Sequence, residues 1–259
     1  MKRYVLWLLV GVGGTLTTGC YQNVKGCLDP RAKNLDVRAD VSCCCVYPSL
    51  LWSVEADCNG TAIGWDDTCA VATERWKVLA YEMVLSEVTV YIDDKAIHTD
   101  STIALRLHED ELIRVRDDIR VLRGGGSSAV IPKFITEGSL QQVEFTIGIP
   151  HSGIRPSSFP EGHPMREDTE LWDTLKGYRI VYLQALELNS GDTTRIELFQ
   201  HDVDTVRWRS STSVVGVRGK DLRLSLIAEF AEFLSAHRQH QWTKKESLRQ
   251  WKSRLRLKQ

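Results

Sequence analysis

The feature that most constrains the fold is an alternation of period two that sets in after Leu50. Val143, Phe145, Ile147 and Ile149 alternate with Glu144, Thr146 and Gly148, and Leu222, Leu224 and Leu226 alternate with Arg223 and Ser225. Successive side chains of an extended strand point to opposite faces, so each run offers one apolar face to a core and one polar face to water. Residues 84–92, 102–107, 112–116, 119–122, 130–134, 196–199 and 213–217 are further β-rich runs between Asp, Gly, Asn or Ser turns. Residues 177–186 are apolar on both faces, as a central strand is. Only Ile227, Phe230, Ala231 and Leu234 carry helical spacing. Many short strands with few helices predict an all-β, antiparallel β-sandwich over residues 50–236, closed by one short C-terminal helix.

Composition permits such a core: 42% of the 259 residues are hydrophobic and 26% charged. With 33 Lys and Arg against 34 Asp and Glu, the net charge of -1 argues against a nucleic-acid partner, which would require a basic excess. The balance is uneven along the chain. Residues 237–259 hold Arg238, Lys244, Lys245, Arg249, Lys252, Arg254, Arg256 and Lys258 against Glu246 alone, so an acidic body precedes a basic tail. Leu248, Trp251 and Leu255 are spaced to form an apolar stripe on a helix in that tail. The stripe suits an anionic surface or a partner groove, and a frayed, solvated tail is the alternative.

At the other end, Lys2 and Arg3 precede an apolar run from Tyr4 to Leu16, too short to span a bilayer and matched to the core of an export signal. Thr17-Thr18-Gly19-Cys20 then resembles the bacterial lipobox, which implies cleavage after residue 19, lipidation of Cys20 and attachment to a membrane through the N-terminal lipid. Simple cleavage and an uncleaved anchor are the alternatives. Either way the protein is expected on the periplasmic or cell-surface side of the outer membrane.

If Cys20 is lipidated, Cys27, Cys43, Cys44, Cys45, Cys58 and Cys69 remain as an even set, expected to form disulfides in an oxidising compartment. Cys58 with Cys69, and Cys27 with one of the 43–45 triplet, are the expected pairs. A metal reading of the triplet lacks the C-x2-C spacing of zinc sites. Residues 20–49 form a Cys-rich spacer. Its Gly26-Cys27-Leu28-Asp29-Pro30, Ala32, Asn34 and Cys45-Val46-Tyr47 resemble short modules found beside the anchors of secreted proteins. Asp29, Asn34, Asp36 and Asp40 are oxygen ligands of the kind Ca²⁺ takes, but they lack the EF-hand Gly and terminal Glu and read as turn residues.

One connection is out of proportion. Residues 151–176 separate two strands and carry Pro156, Pro160 and Pro164, together with His151, His163, Met165 and Trp172. A loop of this length is either functional or a structured cover. The order of Val143-Glu144-Phe145-Thr146-Ile147-Gly148-Ile149-Pro150, Gly162-His163, Glu170-Leu171-Trp172-Asp173-Thr174-Leu175-Lys176-Gly177-Tyr178 and Phe199-Gln200-His201 resembles the MbnP-like domain. That family comprises exported β-sandwich proteins named after a methanobactin-associated copper protein. The Tyr-rich run 81–91 and residues 224–234 extend the likeness over roughly 50–236.

The resemblance implies Cu(I) held by His163 and His201, with Met165 as a soft neighbour, beside Trp172, and a dihaem-peroxidase-type or other envelope protein as partner. The motif's second Trp is Thr174 here, and a strand position that can carry His in copper-binding members is Ser86. No G-x-S-x-G, P-loop, H-E-x-x-H or dinucleotide fingerprint occurs, so no enzymatic activity is expected. Two readings follow: an exported, lipid-anchored binding module that takes Cu(I), or a lipoprotein that contacts an envelope component without metal.

Overall fold

The computed structural model describes residues 23–107, 111–125, 128–151, 153–167, 169–201, 206–240 and 242–258. The export signal and Cys20 lie outside them. The strands are β1 (Lys25–Gly26), β2 (Val41–Ser42), β3 (Leu50–Cys58), β4 (Thr61–Ile63), β5 (Thr68–Val71), β6 (Glu74–Ile92), β7 (Lys95–Ile97), β8 (Thr102–Arg106), β9 (Leu112–Arg116), β10 (Arg120–Arg123), β11 (Ala129–Ile131) and β12 (Gly138–Ile147). After the excursion, which holds the short helix α1 (Pro164–Glu167), come β13 (Trp172–Asp173), β14 (Gly177–Glu187), β15 (Thr193–Phe199), β16 (Val206–Ser211), β17 (Val215–Gly216) and β18 (Leu222–Ala228). The chain ends with α2 (Phe230–His240), α3 (Lys244–Ser253) and β19 (Leu255–Leu257).

The protein is an all-β sandwich. Its larger sheet is organised by β6, 19 residues long, which pairs antiparallel with β5, β7, β10, β12 and β14. At Met83 β10 lies across from β14, and at Leu85 it lies across from β12. A bulge marked by positive φ at Glu87 lets β6 serve both partners, and the buried Asp118 carboxylate accepts the displaced Glu87 and Val88 N–H groups at 3.1 and 2.9 Å. The smaller sheet runs β11, β3, β18, β19, with β4 on β3. Here β18 pairs with β3 in parallel, so this sheet is mixed. Trp52 of β3 meets Phe145 of β12 edge-on at 5.4 Å, and Phe145 stacks on Trp208 at 4.8 Å, joining the two layers.

Two expectations are corrected by the C-terminal and N-terminal segments. The closing helix α2 is followed by α3, whose start is fixed by a capping box between Thr243 and Glu246, and then by β19 in register with β18. Leu248, Trp251 and Leu255, read as a stripe for a membrane or partner, are 1%, 1% and 6% exposed. They cover an end of this protein's own core, where Trp251 packs on Tyr81, Phe230 and Phe233. The Cys-rich segment is likewise docked: Lys33 pairs with Asp221 at 2.8 Å, Asp221 accepts the Ser49 N–H, and the Ala32 carbonyl fits against Gly219, where a Cβ would come within 3.0 Å of it.

Disulfides join Cys27 to Cys45 and Cys58 to Cys69. Cys43 and Cys44 are free thiols, which corrects the expectation that all six cysteines are bonded. With the other four used in two pairs, each has among the described residues only its sequence neighbour, and adjacent cysteines rarely reach disulfide geometry. Asp29 is held by Arg31 and Tyr47, Asn34 bridges Cys44 and Val46, Asp36 caps the Arg38 N–H and Asp40 accepts the Val24 N–H. These groups act as separate turn anchors. No helix among the described residues is long and apolar enough to cross a membrane.

Candidate functional site: the pole of the excursion

The excursion is a structured cover. Ile154, Phe159, Met165 and Leu171 are fully buried, so its proline-fixed turns are pinned by an apolar residue every few positions. Its start is tied to the Phe199-Gln200-His201 element. Gln200 accepts the Ile149 N–H at 3.2 Å, its own N–H donates to the Tyr178 carbonyl at 2.8 Å, and the His201 N–H donates to the Lys176 carbonyl at 3.3 Å. The excursion, the β13–β14 hairpin and His201 therefore share one pole of the sandwich.

Within that pole a cleft of about 540 Å³ opens between the edges of the two sheets. β10 supplies Arg120, Val121 and Arg123, β11 supplies Ala129 and Val130, and residues 160–164 form the rim. Arg120, 8% exposed, is the organising group: Nε donates to the Val130 carbonyl at 2.6 Å, Nη1 to the Ile119 carbonyl at 2.8 Å and Nη2 to Asp117 at 2.8 Å. The guanidinium thereby plugs the exposed edge of β11 and satisfies carbonyls that would otherwise invite another strand.

His163 lies against the same guanidinium, with Nε2 at 3.1 Å from Arg120 Nη1 and 3.8 Å from Asp117, and its ring stacks on Phe159 at 4.6 Å. The Met165 N–H lies 3.2 Å from Nδ1; a neutral imidazole has one lone pair, so it accepts from either this N–H or the Arg120 guanidinium, and the other nitrogen carries the proton. Burial first, and the adjacent Arg120 charge second, push its pKa down to about 4. Around neutral pH this imidazole is uncharged and bracketed on both nitrogens.

The four residues expected to surround copper are distributed over the pole. Met165 is part of the core. His163 faces Arg120, whose fixed positive charge opposes a cation at Nε2. His201 is exposed just after β15 and lies against the β13–β14 turn, with Nδ1 donating to the Leu175 carbonyl at 3.1 Å, which leaves Nε2 as the nitrogen with a lone pair. Asp202 and Asp204, which follow it in the sequence, lie outside the described residues. Trp172 is half-buried and meets Tyr178 edge-on at 4.8 Å. Tyr178 in turn lies 6.2 Å from Phe159, so a row of rings links Trp172 to His163. The Tyr178 hydroxyl is buried without a hydrogen-bond partner, and burial raises its pKa. No hydrogen bond or ring contact joins His163 to His201, and among the described residues no three His, Cys, Asp or Glu side chains gather as a metal cluster. His163 and Met165 are placed by packing, and His201 by its bond to the β13–β14 turn.

Sequence reasoning missed Arg120 and Asp117. Each stands in a short run of alternating charge and aliphatic residues, where nothing distinguishes a buried Arg from a solvated one.

No family model and no curated protein matches this chain. Among solved structures it is similar to MbnP from Methylosinus trichosporium, at 10% identity and a TM-score of 0.45, over 72% of this chain and 77% of that one.

Proposed function

We propose that this chain is an exported, lipid-anchored envelope protein that works by binding a partner and catalyses nothing, and that its contact surface is the cleft between β10 and β11. The carrying observation is the packing of Asp117, Arg120 and His163 against one another along one wall of that cleft. A general base needs a lone pair it can offer to a substrate proton. Here Nδ1 faces a backbone N–H and Nε2 a guanidinium, so the one lone pair of the neutral ring is already engaged, and the wall is suited to holding shape and donors in place. The two disulfides agree with an oxidising compartment, and the lipobox-like Cys20 supplies the anchor.

The test is mild-detergent recovery of the full chain from its own envelope, with chelator present, beside a Val130→Glu variant. Val130 is 46% exposed on the cleft wall, so the charge is tolerated by the fold. A specific envelope protein retained by the native chain and lost from the variant supports the reading. Equal retention by both, or none by either, removes the cleft from it.

One observation favours a second reading in which the pole takes Cu(I). The Leu175 carbonyl fixes the His201 tautomer and orients its ring, as the second nitrogen of a ligating imidazole usually requires. In this reading His201 is the imidazole ligand, beside the hairpin that carries Trp172, and His163 and Met165 are scaffold. Anaerobic titration with Cu(I) should then show copper that the His201→Ala chain does not hold.

A further inference from the structure

Away from this pole, the Cys-rich segment holds two free sulfurs side by side. Adjacent residues of an extended chain point their side chains to opposite faces. Cys44 departs from that geometry: its φ of 58° lies in the left-handed region, and the turn sets its thiol near enough to that of Cys43 to hold the Cys43 proton on more tightly. The conformation is held from several sides. The Cys43 N–H donates to the Gly26 carbonyl at 2.9 Å, Asn34 donates to the Cys44 carbonyl and accepts the Val46 N–H, both at 2.8 Å, and Cys45 is locked to Cys27. A strained, non-glycine backbone that is this firmly fixed marks a place where the surroundings impose the geometry. Cys44 is exposed and Cys43 half-buried, so both sulfurs sit at the surface.

We propose that Cys43 and Cys44 form a two-thiolate site for one soft monovalent cation of the Cu(I) class. Sulfur ligands select against hard cations such as Ca²⁺ and Mg²⁺. Structural Zn²⁺ takes four ligands, and among the described residues no third His, Cys, Asp or Glu joins the pair. A d¹⁰ monovalent ion, satisfied by two thiolates, is the class that remains. Binding breaks two S–H bonds, forms two S–metal bonds and releases two protons, with no change of oxidation state. The proposal is independent of His201 and of the cleft.

The experiment is anaerobic competition for Cu(I) between the full chain and a colorimetric Cu(I) chelator, with free thiols counted in the same sample. One Cu(I) per chain is expected to resist the chelator, with two thiols disappearing from the count. Retention should be lost in Cys43→Ser and in Cys44→Ser and kept in His201→Ala. Because both side chains lie at the surface of the turn, the serine variants are expected to fold, and an unchanged thermal midpoint verifies it. Copper kept by a Cys43→Ser/Cys44→Ser double variant overturns the proposal. So does peptide mapping under non-reducing conditions that finds either residue in a disulfide. Loss of copper from His201→Ala alone would instead assign it to the pole and leave the thiol pair without a ligand.

Discussion

At the scale of single residues, His163 couples stability to pH. Its folded pKa, about 4, lies below the ordinary value of 6.5, so between these pH values the unfolded chain binds the extra proton and the folded one resists it. The associated stability is complete above pH 6.5 and disappears as pH falls through that window, by about 3 kcal/mol in all at 1.36 kcal/mol per pKa unit. Urea unfolding at pH 7, 5.5 and 4.5 should show this slope in the native chain and a flatter one in His163→Gln, after the shared contribution of the carboxylates. An equal slope in both would mean that the imidazole is solvated. Gly177, with φ of 76°, is the second sensitive point. A Cβ there would sit 3.3 Å from His201 Nε2, so Gly177→Ala should cost about 1–2 kcal/mol and shift the histidine ring signals in NMR. The sequence exposes such residues only in part. His151, His163, Met165 and Trp172 were legible as unusual company for a proline-rich loop. That Arg120 would take up His163, and that Met165 would be core, depends on which sheet edges meet, and period-two patterning carries no record of that.

At the scale of elements, the C-terminal segment provides the sharpest contrast. Spacing of Leu248, Trp251 and Leu255 describes a helix with one apolar face but not what covers that face. The answer is α2 and the end of the larger sheet. Leu255, read as the helix's last apolar position, instead begins β19, since Leu255 and Leu257 alternate around Arg256 and complete the edge beside β18. Trp251→Ala removes a fully buried indole and should cost about 3–5 kcal/mol, measured as a lowered urea midpoint at unchanged m. A surface tail would give no change. Some β-rich runs were found close to their bounds, 112–116 as β9 and 177–186 as β14 less its last residue, whereas 84–92 is only the second half of β6, which begins at Glu74. β3 and β16 were not read as strands, although Leu50, Trp52, Val54 and Ala56 alternate with Ser53 and Glu55, and Trp208 lies between Arg207 and Arg209; the polar members form the opposite face, where Ser53, Glu55, Arg207 and Arg209 find partners in the assembled sheets. Between β3 and β5, the Cys58–Cys69 bond closes a short loop. Reducing it or substituting both cysteines by Ser should lower stability by about 3 kcal/mol if the effect is chain entropy.

At the scale of the whole molecule, the uneven charge of the sequence becomes an internal match. The acidic body and the basic end meet. Arg254 pairs with Glu229 and Glu232, Arg256 with Asp57 at 3.0 Å, and Lys258 with Glu55 at 2.8 Å. Arg238 faces Glu74, Glu187 and Asp192 within 3.8 Å. Exposed pairs of this kind each add little to stability. What they change is the field, because a cation beside a carboxylate projects far less positive potential than one in an isolated basic stripe. An anionic membrane would then gain little from this end of the protein, and its apolar residues are already committed to the core. If the chain carries the proposed N-terminal lipid, attachment should therefore rest on that lipid alone. A chain beginning at Tyr21 is expected to stay in the supernatant with neutral and with anionic vesicles alike at physiological ionic strength, whereas the lipid-bearing chain sediments with both. If the Tyr21 chain were to sediment with anionic vesicles only, and 0.5 M salt, about three times physiological, were to release it, the ion pairs would be failing to neutralise the basic end, and the C-terminal segment would be a second membrane contact.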